Sequence, residues 1–282
     1  MPAAATTWIT HEVATHLLRE VASRCADVSI PLLPVKGVLT ARLLYEDVAD
    51  RIITDVDVRI RPRDFTPFLR MARAAGWRRV RIARTYCNLI YDFPGLSLDV
   101  EGSVGPPGLC GLTVDTMLSR ATFFPLAPDF SVLAPEVHDH AVVLVINVFK
   151  DKMSAATVRA VSDVERIARH PSFSTDTFVE RAVQSRIATI AWLVAGWMES
   201  RGSAPWGAVR LALDGHARVR RGYARLFRRL LRDGDGDRRT LALRLLARVG
   251  ADTRFMQADA LVRAVAWEIE MGLRGRKGAA DR

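Results

Sequence analysis

The sequence predicts an α+β fold: a mixed-sheet domain over residues 1–130, followed by a helical domain over residues 131–282. Three observations lead there. Within the first hundred residues, short segments that alternate apolar and polar residues are interspersed with segments of helical spacing. From about Pro135 to Leu273 nearly every segment has helical periodicity instead. The change of character falls at Pro125 to Pro135, a stretch that holds three prolines.

Taken in order, Thr10 to Cys25 places Val13, Leu17, Leu18 and Val21 at helical spacing and reads as an amphipathic helix. Ile30 to Val35 is a short apolar run broken by prolines, which suits an edge strand. Lys36-Gly37 turns the chain into a second helix, Val38 to Tyr45. Thr54 to Arg61 follows with Val56, Val58 and Ile60 on one side, the pattern of a half-buried strand. Phe65 to Ala75 is helical and stops at Gly76. Three further strands are expected at Arg79 to Ala83, Asn88 to Phe93 and Leu96 to Glu101. Gly102 to Gly111 is rich in glycine and proline, and the helical half shows breaks near His170, Gly202, Asp233 and Gly250.

Composition narrows the class of protein. The chain is 49% hydrophobic and 26% charged, values that suit a folded chain and exclude a disordered one. The longest uncharged apolar helical run, Ile187 to Met198, is far short of the roughly 20 residues that span a bilayer. The first ten residues lack a basic start and an apolar signal core, so a cytoplasmic location without membrane association is expected. Cys25, Cys87 and Cys110 have no ligand spacing and are read as reduced packing residues. The net charge is +10, and lysine occurs only at Lys36, Lys150, Lys152 and Lys277, so arginine carries it. That balance favours anionic partners such as nucleotides or RNA.

The chemistry concentrates on Asp55, Asp57 and Asp99. Residues two apart on a strand project to the same side, so Asp55 and Asp57 leave one face together. Adjacent carboxylates repel, and a divalent cation between them removes the conflict. Asp99 stands in the strand Leu96 to Glu101; if the two strands are neighbours, a third carboxylate joins the pair. Three such acids can hold two Mg²⁺ ions about 3.5–4 Å apart for in-line displacement at phosphorus. Ahead of them, Lys36-Gly37 offers a flexible turn at a helix N-terminus, which suits a close approach to phosphates.

The run Pro34-Val35-Lys36-Gly37, then Leu44-Tyr45, then Arg51-Ile52-Ile53-Thr54-Asp55-Val56-Asp57-Val58 resembles the signature of the nucleotidyltransferase superfamily that includes DNA polymerase β. It is most similar to a branch of poorly characterised bacterial nucleotidyltransferases, and Leu98-Asp99-Val100-Glu101 is similar to that branch's third-acid strand. The resemblance covers residues 30–101 and implies that residues 1–130 form the catalytic domain. It implies transfer of an NMP from an NTP, such as ATP, to a hydroxyl acceptor with release of pyrophosphate, aided by Mg²⁺ or Mn²⁺. Asp55, Asp57 and Asp99 would be the catalytic, metal-binding acids. Gly37 would admit the phosphates, Lys36 would neutralise them, and Arg51 would brace the turn or contact phosphate. In relatives the first helices after the catalytic domain close over the nucleotide, which makes Lys150 and Lys152 candidates for phosphate contact. The acceptor is a small molecule, a protein or an RNA; similarity to tRNA-modifying toxins keeps RNA open, and a catalytically silent nucleotide-binding scaffold is the other alternative. The sequence departs from the branch in having Glu101 where histidine is common and Arg59 where an apolar residue is usual; Arg59 is read as a solvated charge.

Further along, His140, Asn147 and Asp151 form a polar stripe on an apolar helix, expected to face water, a partner domain or a ligand. His138-Asp139-His140 holds metal-type side chains, but adjacent helical positions face apart, so no metal is expected there. Arg218, Arg220, Arg221, Arg225, Arg228, Arg229 and Arg232 form a basic stretch, either a solvated face or an RNA contact. Asp233 to Asp237 resembles the start of a calcium loop but has Arg244 where the loop needs glutamate, so it is read as a plain loop.

Overall fold

A computed structural model describes residues 2–151, 153, 158–216, 220–232, 243 and 246–280. It divides into two compact units, 1–104 with 113–136, and 105–112 with 137–282. The glycine- and proline-rich segment after residue 102 is thus not a simple linker: residues 105–112 belong with the second unit, and the chain then returns to the first. Lys152, Arg218, Asp233 to Asp237 and Arg244 lie outside the described residues, as does the side chain of Arg232.

The first unit is built on a five-stranded mixed sheet. In chain order its elements are helix α1 (Pro2–Asp27), strand β1 (Leu33–Pro34), α2 (Gly37–Leu44), β2 (Asp55–Arg59), α3 (Phe65–Ala74), β3 (Arg78–Ala83), β4 (Asn88–Phe93) and β5 (Leu96–Glu101). These are followed by α4 (Val114–Arg120) and a hairpin of β6 (Thr122–Ala127) and β7 (Phe130–Ala134). The spatial order is β1-β2-β5-β4-β3, with β2 and β5 parallel and the other pairs antiparallel.

One face of that sheet is the core. Val56 and Val58 of β2, Leu98 and Val100 of β5, and Leu89 and Tyr91 of β4 are all buried there. Ala14, Leu17, Leu18, Val21 and Cys25 line the inner side of α1, and Phe65, Phe68 and Ala72 that of α3. Apolar residues at helical spacing thus meet apolar residues at strand spacing, and burying each of the larger side chains contributes about 1.5–3 kcal/mol. Cys25 is packing, as its spacing predicts: burial lifts its thiol to about 12, far from a reactive thiolate.

The hairpin β6–β7 was not legible as strands. Proline disfavours a central strand but is tolerated on a ribbon edge. Pro125 sits in β6 beside an irregularity of register, and each strand of this two-stranded sheet has a free edge. Leu126, Val132 and Ala134 anchor the hairpin in the core.

The second unit is helical, as expected: α5 (Val137–Lys150), α6 (Val158–Ile167), α7 (Thr175–Gln184), α8 (Ala188–Glu199), α9 (Ala204–Asp214), α10 (Arg221–Arg232) and α11 (Arg254–Ala280). Helices α5 and α8 are apolar almost all round because both are central. The open N-terminus of α8 is closed by Asp252, whose carboxylate accepts from Ala188 N (2.6 Å) and Thr189 N (3.1 Å). Trp206, fully buried in α9, donates Nε1–H to the Val164 carbonyl at 2.8 Å. No helix among the described residues is long and apolar enough to cross a membrane.

Candidate functional site

The opposite face of the sheet from the core is charged. Alternation along β2 turns Asp55, Asp57 and Arg59 to that side, and alternation along β5 turns Ser97, Asp99 and Glu101 there. The parallel ladder pairs Asp57 with Asp99, Asp55 with Ser97, and Arg59 with Glu101. Two of the three candidate acids are therefore immediate neighbours, and the third lies one pleat along the same strand.

Each charge on this face is held by a partner. Lys36 Nζ lies 2.7 Å from Asp57 Oδ1, with only 12% of the lysine side chain and 6% of the aspartate exposed. Arg59 is 1% exposed and reaches Glu101 Oε2 through Nη2 at 2.5 Å. This overturns the reading of Arg59 as a solvated charge: its register partner is an acid, Glu101, whose side chain keeps 19% exposure while the guanidinium is buried. Asn88 Nδ2 donates to Asp99 Oδ1 at 2.6 Å, and Arg81 Nη2 donates to Asn88 Oδ1 at 3.0 Å. Asn88 was not singled out from the sequence; the only signal was its place at the start of a strand next to the one that carries Asp99.

The carboxylates crowd one another. Burial, then the charges of Glu101 and Asp57, push the Asp99 carboxyl up to about 7, with Arg59 and Lys36 opposing the rise. For Lys36, burial acts downward, but Asp57 and Glu101 outweigh it and the ammonium is held above its ordinary range.

The Lys36-Gly37 turn is locked against the acid strand. Val35 N donates to Asp57 O at 3.0 Å, and Thr40 N donates to Lys36 O at 3.0 Å to start α2. Lys36 itself has φ 53° and ψ −151°, a conformation that costs a non-glycine residue about 1–3 kcal/mol. Gly37 has φ 36°, and a Cβ there would stand 3.2 Å from the Asp55 carbonyl oxygen. Glycine thus lets α2 begin against the backbone of β2. Arg51 is 7% exposed and donates from Nη1 to the Gly37 carbonyl at 2.9 Å, so its guanidinium braces the turn.

A buried histidine supports this brace. His11 Nε2 is 2.7 Å from the Arg51 carbonyl oxygen, which requires the proton to sit on Nε2. Its Nδ1 is buried without a hydrogen-bond partner among the described residues. Burial, aided by Arg42 and Arg51, lowers its pKa below 6.5. The unfolded chain then takes up the proton first as pH falls, so this contribution to stability is full above about 6.5 and is lost on descent through the folded value. This share of the urea midpoint is expected to fall between pH 7.5 and pH 5.5, against a rise from Asp99, whose carboxyl, raised to about 7, takes up its proton in the folded chain first. His170, also lowered by burial, adds to that fall. His11→Gln keeps a side-chain donor and removes the titration, so a smaller downward contribution in the variant than in the wild type, read as the difference between their midpoints at each pH, checks the His11 share.

The remaining candidates lie in the second unit. Lys150 closes α5 and is partly exposed. Of the polar stripe on α5, His140 is fully buried, while Asn147 and Asp151 are half-buried. His138 Nε2 accepts from Ser174 N at 2.9 Å, and Asp139 is 3.3 Å from Arg181 Nε. Those two neighbours are thereby tied to different ends of α7. On α10, Arg221, Arg225, Arg228 and Arg229 are exposed, Arg221 pairs with Asp214 at 2.8 Å, and Arg228 lies over the Trp192 ring.

The donor set on the sheet suits a hard divalent cation: carboxylate oxygens on neighbouring strands, crowded enough to resist ionisation together. As the side chains stand, no three His, Cys, Asp or Glu groups among the described residues are gathered as ligands. Asp57 is turned to Lys36 and Asp99 to Asn88. The residues suit such an ion by type and by placement on the strands.

No curated protein matches the sequence. A protein-family model does, over most of the chain and including the whole charged sheet face with its Lys36-Gly37 turn. The chain belongs to the family described as uncharacterised nucleotidyltransferases, whose model matches residues 3–200.

Proposed function

We propose that the protein transfers a nucleoside monophosphate from an NTP to a hydroxyl acceptor, releasing pyrophosphate, with a divalent cation held by Asp55, Asp57 and Asp99. The observation that carries this reading is the in-register pair Asp57 and Asp99 beside the Lys36-Gly37 turn. When bound, Mg²⁺ or Mn²⁺ supplies neutralisation of phosphate charge and alignment of the attacking and leaving oxygens.

The chain's own residues do the rest. Gly37 leaves room for phosphates at the start of α2, and Arg51 fixes that turn through its carbonyl. Asn88 takes one oxygen of Asp99 and so sets the direction of the other. Lys36 is the cation nearest the incoming phosphates. Catalysis then rests on charge and position more than on a protein acid or base.

Among acceptors, RNA is favoured by the exposed arginines of α10, a helix without a single acidic residue. The test is release of labelled pyrophosphate from NTPs with Mg²⁺ or Mn²⁺ in the presence of small-molecule, protein and tRNA pools. Release that disappears in Asp55→Asn and Asp99→Asn is expected. Tight NTP binding with no release across all pools would instead make the protein a silent nucleotide-binding scaffold.

A further inference from the structure

The charged face already contains a cation, and it is one of only four lysines in the chain. Lys36 Nζ sits on Asp57 Oδ1, an oxygen that a divalent ion would take. Two other long cations on this face are committed elsewhere: Arg59 is buried against Glu101 and also donates from Nη1 to the Val58 carbonyl at 3.3 Å, and Arg81 donates to Asn88 Oδ1. Asp99 is met by the neutral amide of Asn88, which brings no charge. This arrangement accounts for acids that share a sheet face and yet are not gathered as metal ligands.

Lysine is suited to a temporary post. Its ammonium is a compact point charge on a flexible four-carbon stem, whereas a guanidinium in a fixed fork is harder to release. The backbone at Lys36 carries a positive φ that glycine would adopt without strain, so the position retains a side chain against a local cost. It also stands at the turn where α2 begins, next to the place proposed for the phosphates.

We propose that Lys36 is a displaceable counter-ion of the acidic face. Its ammonium holds Asp57 while no divalent cation is bound, and moves from Asp57 to the triphosphate when metal and nucleotide arrive. The exchange involves no covalent step. It rests on the metal-dependent reading given above, and it adds a competition between Lys36 and the metal that the reading does not require.

Two measurements test it. In the full wild-type chain, mass-spectrometric mapping of acetic anhydride labelling follows Lys36 and Lys150 separately. Mn²⁺ alone is expected to raise labelling of Lys36 several-fold and leave Lys150 unchanged, and a non-hydrolysable NTP added with Mn²⁺ is expected to protect Lys36 again. In calorimetry without nucleotide, Lys36→Met is expected to bind Mn²⁺ about tenfold more tightly than wild type, since a competing positive charge is gone. The same variant is expected to show a raised KM for NTP. Equal Mn²⁺ affinity in both proteins, with Lys36 labelling unmoved, would overturn the counter-ion role and leave metal-dependent transfer standing. Absence of Mn²⁺ binding in both proteins, with and without NTP, would remove the metal-dependent reading and this inference together.

Discussion

Asp57→Asn is expected to reduce nucleotidyl transfer by about a thousandfold, equivalent to about 4 kcal/mol of transition-state stabilisation. Asparagine keeps the shape and loses the charge, so the effect falls on cation binding and not on packing. The same change leaves the buried Lys36 ammonium without the negative charge that lay 2.7 Å away. Stability is therefore expected to fall as well, by about 3–5 kcal/mol if Lys36 stays charged, because a buried charge is stranded. Two assays separate the consequences: kcat for the wild type and the variant at a temperature where both are folded, and urea unfolding of Asp57→Asn against the double variant Lys36→Met/Asp57→Asn. The double variant removes both charges and is expected to recover much of the lost stability while remaining inactive. Full activity in Asp57→Asn would sink the proposed mechanism.

The second large effect is structural. Arg59→Ala is expected to destabilise the first unit by about 3–5 kcal/mol, the usual consequence of removing one member of a buried ion pair. Arg59 is among the largest fully buried side chains, and its truncation removes volume as well as charge. Glu101 is left beside Asp99 on a face already crowded with carboxylates. Urea unfolding followed by far-ultraviolet circular dichroism checks the size. Arg59→Met restores most of the volume without the charge, so a cost near that of the alanine variant assigns the effect to electrostatics. A change below about 1 kcal/mol in both variants would mean that the pair is not buried in solution.

How much of this was legible in the sequence depends on the range of the interaction. Strands β4 and β5 fall at the predicted residues because alternation is local and both ends carry turn signals. Helix α1 extends well ahead of Thr10, since Pro2 to Trp8 has helix-compatible residues but no apolar stripe to reveal them. The hairpin β6–β7 was hidden by Pro125, whose tolerance there comes from an edge position that only tertiary structure defines. The acidic trio was visible as residue types, and the parallel pairing of β2 with β5 supplied the neighbourhood that the pattern lacked. Arg59 was misread for the same reason: a charge on the acid face looks solvated until its register partner, Glu101, is known.

The parallel pairing of β2 with β5 also sets an order of events. Strands β3, β4 and β5 follow one another as antiparallel neighbours and close over short stretches of chain. The β2–β5 ladder must instead bridge the whole length of α3, β3 and β4, at a larger entropic cost of loop closure. Asp57 and Asp99 are brought side by side by this late seam, so a growing polypeptide that has not yet released Glu101 has no assembled acidic face. The acidic face exists only once the central strand pair has zipped shut.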